Sequence, residues 1–309
     1  MALDQNRIQP LSQLEFFARQ VVEGFITGMH KSPFHGFSVE SAEHRLYNTG
    51  ESVKHIDWKL YGRTDRLYVK RYEEETNLRC QVIIDQSASM LYPVVSKPTL
   101  QQPTKLLFSV YGAAVLMQLF KRQRDAVGLS AFDEEMTINT RAHSGAVHLQ
   151  QLYAYLEDML ATGQPKRNAV TSAAKSLHLI AEAVHRRSLV VIFSDMFETA
   201  GNQTELFQAL QHLKHNKHEV ILFHVSSKAQ ELDFAFDNRP HRFVDLESGQ
   251  EVKLNPAEVR EIYTQRTADY LEEIRMRCHQ YRIDFVEADI NRGFEQVMLP
   301  WLLKRARMM

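Results

Sequence analysis

Gln81-Val82-Ile83-Ile84-Asp85-Gln86-Ser87-Ala88-Ser89-Met90 decides how the chain is read. Val82, Ile83 and Ile84 put β-branched side chains on both faces of a strand, which predicts a position in the middle of a parallel sheet covered on both sides. A carboxylate, Asp85, stands where that strand should end. Two hydroxyls follow at alternate positions, Ser87 and Ser89, so a tight loop can turn three oxygen-bearing side chains toward one point above the sheet. Converging hard oxygens suit Mg²⁺, which takes carboxylate, hydroxyl and water at about 2.0–2.1 Å. Asp and Ser are equally at home in turns and helix caps, so the meaning of the motif depends on partners elsewhere in the chain.

A second stretch of the same kind supplies one. Ser188-Leu189-Val190-Val191-Ile192-Phe193-Ser194-Asp195-Met196 reads as another fully buried strand ending in Ser and Asp. Helical spacing separates the two: an apolar helix from Thr104 to Arg124, a strand pair across the Glu134-Glu135 turn, and helices at 149–160 and 171–185. A further helix and the strand Val220-Ile221-Leu222-Phe223-His224-Val225 continue the alternation. Such repetition predicts an α/β fold, doubly wound, with right-handed crossovers and helices on both faces of a mostly parallel sheet. Ligands of such sheets gather at the carboxyl ends of the strands, where Asp85 and Asp195 would share one crevice.

Composition sets the outer bounds. Across 309 residues the chain is 44% hydrophobic and 24% charged with a net charge of −1, which is ordinary globular composition and argues against a dedicated nucleic-acid binder. Cys80 and Cys278 form neither a disulfide framework nor a metal-spaced pair. The first residues lack the basic and apolar regions of a signal peptide, and the longest apolar run, Leu106 to Phe120, falls short of a membrane span. These features lead to the expectation of a cytoplasmic protein with no transmembrane segment.

Toward the start, Leu14, Phe17, Val21 and Phe25 recur at helical spacing. The segment 40–76 then interleaves aromatics with Arg, Asp and Glu; within it Leu67-Tyr68-Val69-Lys70-Arg71-Tyr72 alternates as a strand. Acids nearly balance bases there, which favours an internal lattice of Arg45, Arg63 and Arg66 with Asp57, Asp65 and Glu73 to Glu75 over a phosphate-binding surface. Farther on, Asp233-Phe234-Ala235-Phe236, Arg242 to Leu246 and Glu251 to Leu254 read as short strands. The expected division is a helix and small β subdomain over 1–78, completed by 231–255, and a main domain over 79–309. Asn255-Pro256-Ala257-Glu258 opens a long helix, Ile283 to Glu287 is the last strand, and a basic-ended helix closes the chain.

The segment from Gly36 through Arg45-x-Tyr47, Gly50, Ile56-Asp57-Trp58, Arg63, Val69-Lys70 and Glu73-Glu74-Glu75-Thr76 resembles the hallmark of a bacterial family called domain of unknown function 58. In that family the hallmark precedes a von Willebrand factor A (vWA)-like domain. Asp85-x-Ser87-x-Ser89, a helix-opening Thr and Asp195 resemble the metal-ion-dependent adhesion site (MIDAS) of such domains. The resemblance implies five metal-site residues: Asp85, Ser87, Ser89, Thr171 and Asp195. The two serines would bind directly and the aspartates largely through water or hydrogen bonds. Thr162 beside Gly163 competes with Thr171 for the second loop.

His212, His215 and His218, with His224 nearby, are spaced for Zn²⁺, but their setting with Lys214 and Lys217 at a helix end suits solvated positive groups better. A serine-hydrolase triad lacks its Gly-x-Ser-x-Gly elbow. Two function classes follow. In one, a magnesium site (or Mn²⁺ or Ca²⁺) takes the acidic side chain of a protein partner and the protein is no enzyme; the resemblance implies an adaptor working with a MoxR-type AAA+ ATPase in protein assembly or maturation. In the other, the metal activates water for phosphoester hydrolysis, which needs a general base the motifs do not supply.

Overall fold

The computed structural model describes residues 12–30, 44–47, 58–70, 78–133, 135–162, 173–196 and 203–306. They fall into two units, a small one within 26–77 and a large one holding the rest. In the small unit β1 (His44–Leu46) pairs antiparallel with β2 (Tyr68–Lys70). A short helix, α2 (Trp58–Thr64), lies between them in sequence; the sequence reading had no helix there. Asp57 and Glu73 to Glu75 of the expected charge lattice lie outside the described residues.

The opening helix α1 (Gln13–His30) does not group with that segment as expected: up to Phe25 it counts with the large unit. Its apolar stripe explains why. Leu14, Ala18 and Val22 are buried, and Phe17 meets Tyr111 and Phe294 edge-on at ring separations of 4.8 and 5.7 Å.

The large unit is built on a six-stranded sheet made of β3 (Arg79–Asp85), β4 (Ala126–Phe132), β5 (Met136–Asn139), β6 (Leu189–Ser194), β7 (Glu219–Ser226) and β10 (Asp284–Asp289). Their order is β10-β7-β6-β3-β4-β5. All neighbours run parallel except β5, which turns back on β4 as an edge hairpin. The chain starts in the centre at β3, moves outward through α3 (Lys105–Arg122) to β4 and β5, then returns through α4 (Ala146–Thr162) and α5 (Ala173–Ala183) to β6 on the other side of β3. From there it proceeds outward through α6 (Gln203–His215) and β7, and later through α7 (Pro256–Gln280) to β10. The expected doubly wound α/β sheet is therefore present, with its switch point between β3 and β6.

Alternation along each strand divides two cores. Val190, Ile192, Val220 and Leu222 pack with Leu177, Ile180, Leu206 and Leu210 of α5 and α6. Residues of opposite parity face the other layer: Phe193 stacks on Phe223 at 4.7 Å, and Phe223 meets Trp301 of α8 (Phe294–Ala306) edge-on. On that face α3 approaches closely, because a Cβ on Gly112 would lie 2.9 Å from the Phe193 ring.

Residues 233–236 are not a strand. Phe234 has φ +47, and the carbonyls of Phe234 and Phe236 accept from the Arg260 guanidinium instead of a neighbouring strand. β8 (His241–Val244) and β9 (Glu251–Leu254) pair antiparallel with each other as a hairpin. Phe234 packs on Phe243 and Tyr263, giving the hairpin an aromatic base against α7.

Because Phe193 leaves no room for a side chain on α3, Gly112→Leu should lower stability by about 1–3 kcal/mol. Urea denaturation of the purified variant measures this, and an unchanged midpoint would show that the ring yields freely.

Candidate functional site

The carboxyl ends of β3 and β6 form the crest of the sheet. Cys80 to Ile84 pair with Leu189 to Phe193 in register, so the next residues along each strand, Asp85 and Ser194 with Asp195, emerge side by side. Ser194 Oγ donates to Asp85 Oδ2 at 2.6 Å across 109 residues of sequence. The other Asp85 oxygen accepts the Ser87 backbone N–H at 2.9 Å. Both carboxylate oxygens are thus occupied, and Asp85 is 3% exposed. Its position orients the loop that follows, in which Ser87 Oγ and Ser89 Oγ stand 3.0 Å apart at the start of a 3-10 turn, Ala88–Leu91.

Burial, and then the charge of Asp195, push the Asp85 pKa up to about 7, while hydrogen bonds from Ser194 and Ser87 pull it back. Two carboxylates confined in a dry crest repel each other, and one of them holds its proton near neutrality.

A group the sequence reading missed lies beside them. Lys105 is fully buried, with Nζ 2.7 Å from Asp195 Oδ2 and 2.5 Å from Glu231 Oε1. Burial pulls its pKa down, and Asp195 and Glu231 more than reverse this, so the ammonium is held above its ordinary range. Glu231 comes from a single π turn after β7, Lys228–Leu232, and its other oxygen accepts the Ser227 N–H at 2.7 Å. Tyr92 closes this side: its ring centre lies 5.9 Å from Nζ and its hydroxyl donates to Gln230 at 2.7 Å. A signal existed in the sequence. Lys105 is the first residue of a helix that is largely apolar as far as Phe120, capped by Thr104, whose side chain accepts the Leu107 N–H. A cation is unfavourable at that end of a helix dipole unless anions meet it.

Of the five expected site residues, Asp85, Ser87, Ser89 and Asp195 come together at the crest. Thr171 lies outside the described residues; α5 begins at Ala173 and Thr162 is the last residue of α4. The histidines go separate ways. His212 Nδ1 lies 3.0 Å from His178 Nδ1. His218 is not a solvated cation: it is 1% exposed, accepts the Ser188 N–H, and its pKa is lowered by burial. His224, directly beneath the crest on β7, is pushed down to about 4 by burial.

Among the described residues no cluster of three or more His, Cys, Asp or Glu is arranged to hold a metal. The crest offers a different donor set, hydroxyls backed by carboxylates. Adjacent ligands of an octahedral ion at about 2.1 Å are about 3 Å apart, which matches the 3.0 Å separation of the Ser87 and Ser89 oxygens. Those hydroxyls fit a small hard cation as direct ligands, with Asp85 and Asp195 supplying charge behind them.

The fold and its crest define the class as an α/β protein with buried carboxylates and hydroxyls gathered at the switch point of a mostly parallel sheet. The chain belongs to the family described as protein of unknown function DUF58, whose model matches residues 43–273. Uncharacterized proteins of Mycobacterium bovis and Mycobacterium tuberculosis are 31% identical to it over 87 residues. That stretch is 28% of this chain, and the chain spans only 27% of the length of those curated relatives. Among solved structures, the conserved hypothetical protein BatB from Bacteroides thetaiotaomicron is similar at 13% identity and a TM-score of 0.41, over 74% of this chain and 99% of that one. An aerotolerance-related membrane protein from Bacteroides fragilis is similar at 15% identity and a TM-score of 0.39, over 71% and 96%. No helix among the described residues is long and apolar enough to cross a membrane.

A carboxyl whose folded-state pKa stands above its ordinary 3.8 binds its proton more tightly when folded. Its contribution to stability is complete below pH about 3.8 and is lost as pH rises through about 7. In metal-free buffer Asp85→Asn should therefore remove a decline in stability between those limits. Thermal unfolding of both proteins from pH 4 to 8 tests this; parallel curves would show that Asp85 is ionised throughout.

Proposed function

We propose that the crest is a divalent-cation-dependent docking site of the adhesion-site (MIDAS) kind in a vWA-like domain, and that the protein binds rather than transforms its partner. The observation that carries this reading is the meeting of Asp85 with Ser194 and Asp195 beside the Ser87 and Ser89 hydroxyl pair. Mg²⁺, or Mn²⁺ or Ca²⁺ in its place, would be held by Ser87 and Ser89, with Asp85 and Asp195 as the anionic backing and Thr171 as the expected ligand from the second loop. When bound, the cation would supply a Lewis-acidic position for an acidic side chain of a protein partner. The chain's own residues hold that position rigid: Asp85 fixes the Ser87 backbone, and Ser194, which also accepts the Met196 N–H at 2.9 Å, locks the β6 loop to it.

A partner carboxylate gains from such a site because it meets positive charge in a partly dry crevice rather than bare aspartates. The commitments of the neighbouring groups favour docking over hydrolysis. Asp195 and Glu231 hold Lys105, and Asp85 is bonded through both oxygens, so none of these three carboxylates is poised to take a proton from water at the hydroxyl pair. The adaptor role with a MoxR-type AAA+ ATPase in assembly or maturation of other proteins completes the proposal and rests on the family resemblance.

Capture of partner from native lysate by immobilised protein should require Mg²⁺, be lost in chelator, and fall at least tenfold in Asp85→Ala with folding intact by circular dichroism. Capture indifferent to chelator would sink the docking reading, and turnover of a generic phosphoester with Mg²⁺ or Mn²⁺ would replace it with the hydrolase one.

A further inference from the structure

Lys105 brings a positive charge to the place where the docking reading puts another. Its ammonium is 0% exposed and bridges Asp195 on the β6 loop and Glu231 on the turn after β7. The bridge is built from rigid parts. Lys105 sits in the first turn of α3, which Thr104 caps and Gly112 allows to press on β6. Glu231 is anchored by the Ser227 N–H independently of the lysine. Asp195 is the shared member: the docking reading makes it part of the anionic backing of the hydroxyl pair, and it carries the lysine through Oδ2.

We propose that Lys105 is a tethered competitor cation, which occupies Asp195 and thereby sets the affinity of the crest for a divalent ion. This rests on the docking reading above and deepens it. An ion entering beside Ser87 and Ser89 must draw on Asp195, and it does so against an ammonium already paired with that carboxylate. Glu231 is what lets the lysine yield, since a second carboxylate keeps the ammonium compensated when Asp195 turns its charge toward the ion. The site is consequently weak for the ion alone and strengthens when an acidic partner adds negative charge, so that ion and partner promote each other's binding by the same factor.

A uniform change in local charge would alter ion affinity too, and the variants separate the two causes. Lys105→Met removes the competitor but leaves Asp195 and Glu231 both uncompensated. Lys105→Met combined with Glu231→Gln removes the competitor at unchanged net charge. Titration calorimetry with Mg²⁺ and electron paramagnetic resonance with Mn²⁺ on the full chain, with folding checked by circular dichroism, read the affinity directly. The double variant should bind at least tenfold more tightly than the wild type, and it carries the test even where the single variant fails to fold. Equal affinity in the double variant and the wild type overturns the competition while leaving the metal site standing. Absence of Mg²⁺ and Mn²⁺ binding in the wild type and in both variants overturns the docking reading and the competition together.

Discussion

The Asp85–Ser194 hydrogen bond is the contact on which the arrangement of the crest depends. It joins the ends of β3 and β6, the two strands from which the chain departs in opposite directions, so nothing in sequence proximity places them together. What places them together is the parallel pairing of Cys80 to Ile84 with Leu189 to Phe193. A slip of one residue would turn every side chain of one strand to the other face and exchange its two cores. The hydrophobic division above and below the sheet therefore excludes a one-residue slip, and with it the mismatch of polar groups that such a slip would bring to the edge.

Charge is then handled in two different ways on the two sides of that contact. Asp85 is accommodated by hydrogen bonds and by retention of its proton near neutrality. Asp195 is accommodated by a buried ammonium. Breaking a buried pair of this kind by removing one partner costs about 3–5 kcal/mol, whereas a well-packed apolar replacement of the whole set is often neutral. The Lys105 cluster is thus poorly explained as a device for stability alone. Its position against Asp195, which the docking reading needs for a cation, gives it a reason to be there.

Much of this was legible in the sequence, and the limits are physical. β-branched runs at 82–84 and 190–192 gave the central strands, and a carboxylate after each marked the crest of the sheet. Alternation with helices gave the mostly parallel, doubly wound sheet, while the order of its strands came only from the structure. Less accessible was the region 233–255, where short aromatic-rich runs alternate like strands whether they pair with a sheet or fold on themselves; Arg260, more than twenty residues away, decides the matter by taking the Phe234 and Phe236 carbonyls. α2 was hidden because Trp58 to Thr64 is short, interleaves aromatic and basic residues with little periodicity, and contains Gly62. Lys105 and Glu231 were missed for a different reason. Each looks like a surface residue until the fold brings it to Asp195, and only the misfit of a cation at the start of a buried helix hinted otherwise.

That misfit has a general consequence for sites at the switch point of a doubly wound sheet. The first turn of the helix that leaves the central strand points its free N–H groups and its leading side chains at the crevice, so the crevice is electropositive before any ligand enters. A carboxylate at the end of the neighbouring strand answers that field, and a lysine in the same turn strengthens it. Here Asp195 answers Lys105 at the start of the Thr104-capped α3, while Asp85 is bonded to the hydroxyl of the neighbouring Ser194 with its charge held in check. The difference between the two aspartates therefore follows from their partners: Asp195 is paired with the Lys105 ammonium, whereas Asp85 is buried beside the charge of Asp195 with hydrogen bonds from Ser194 and Ser87 to offset it.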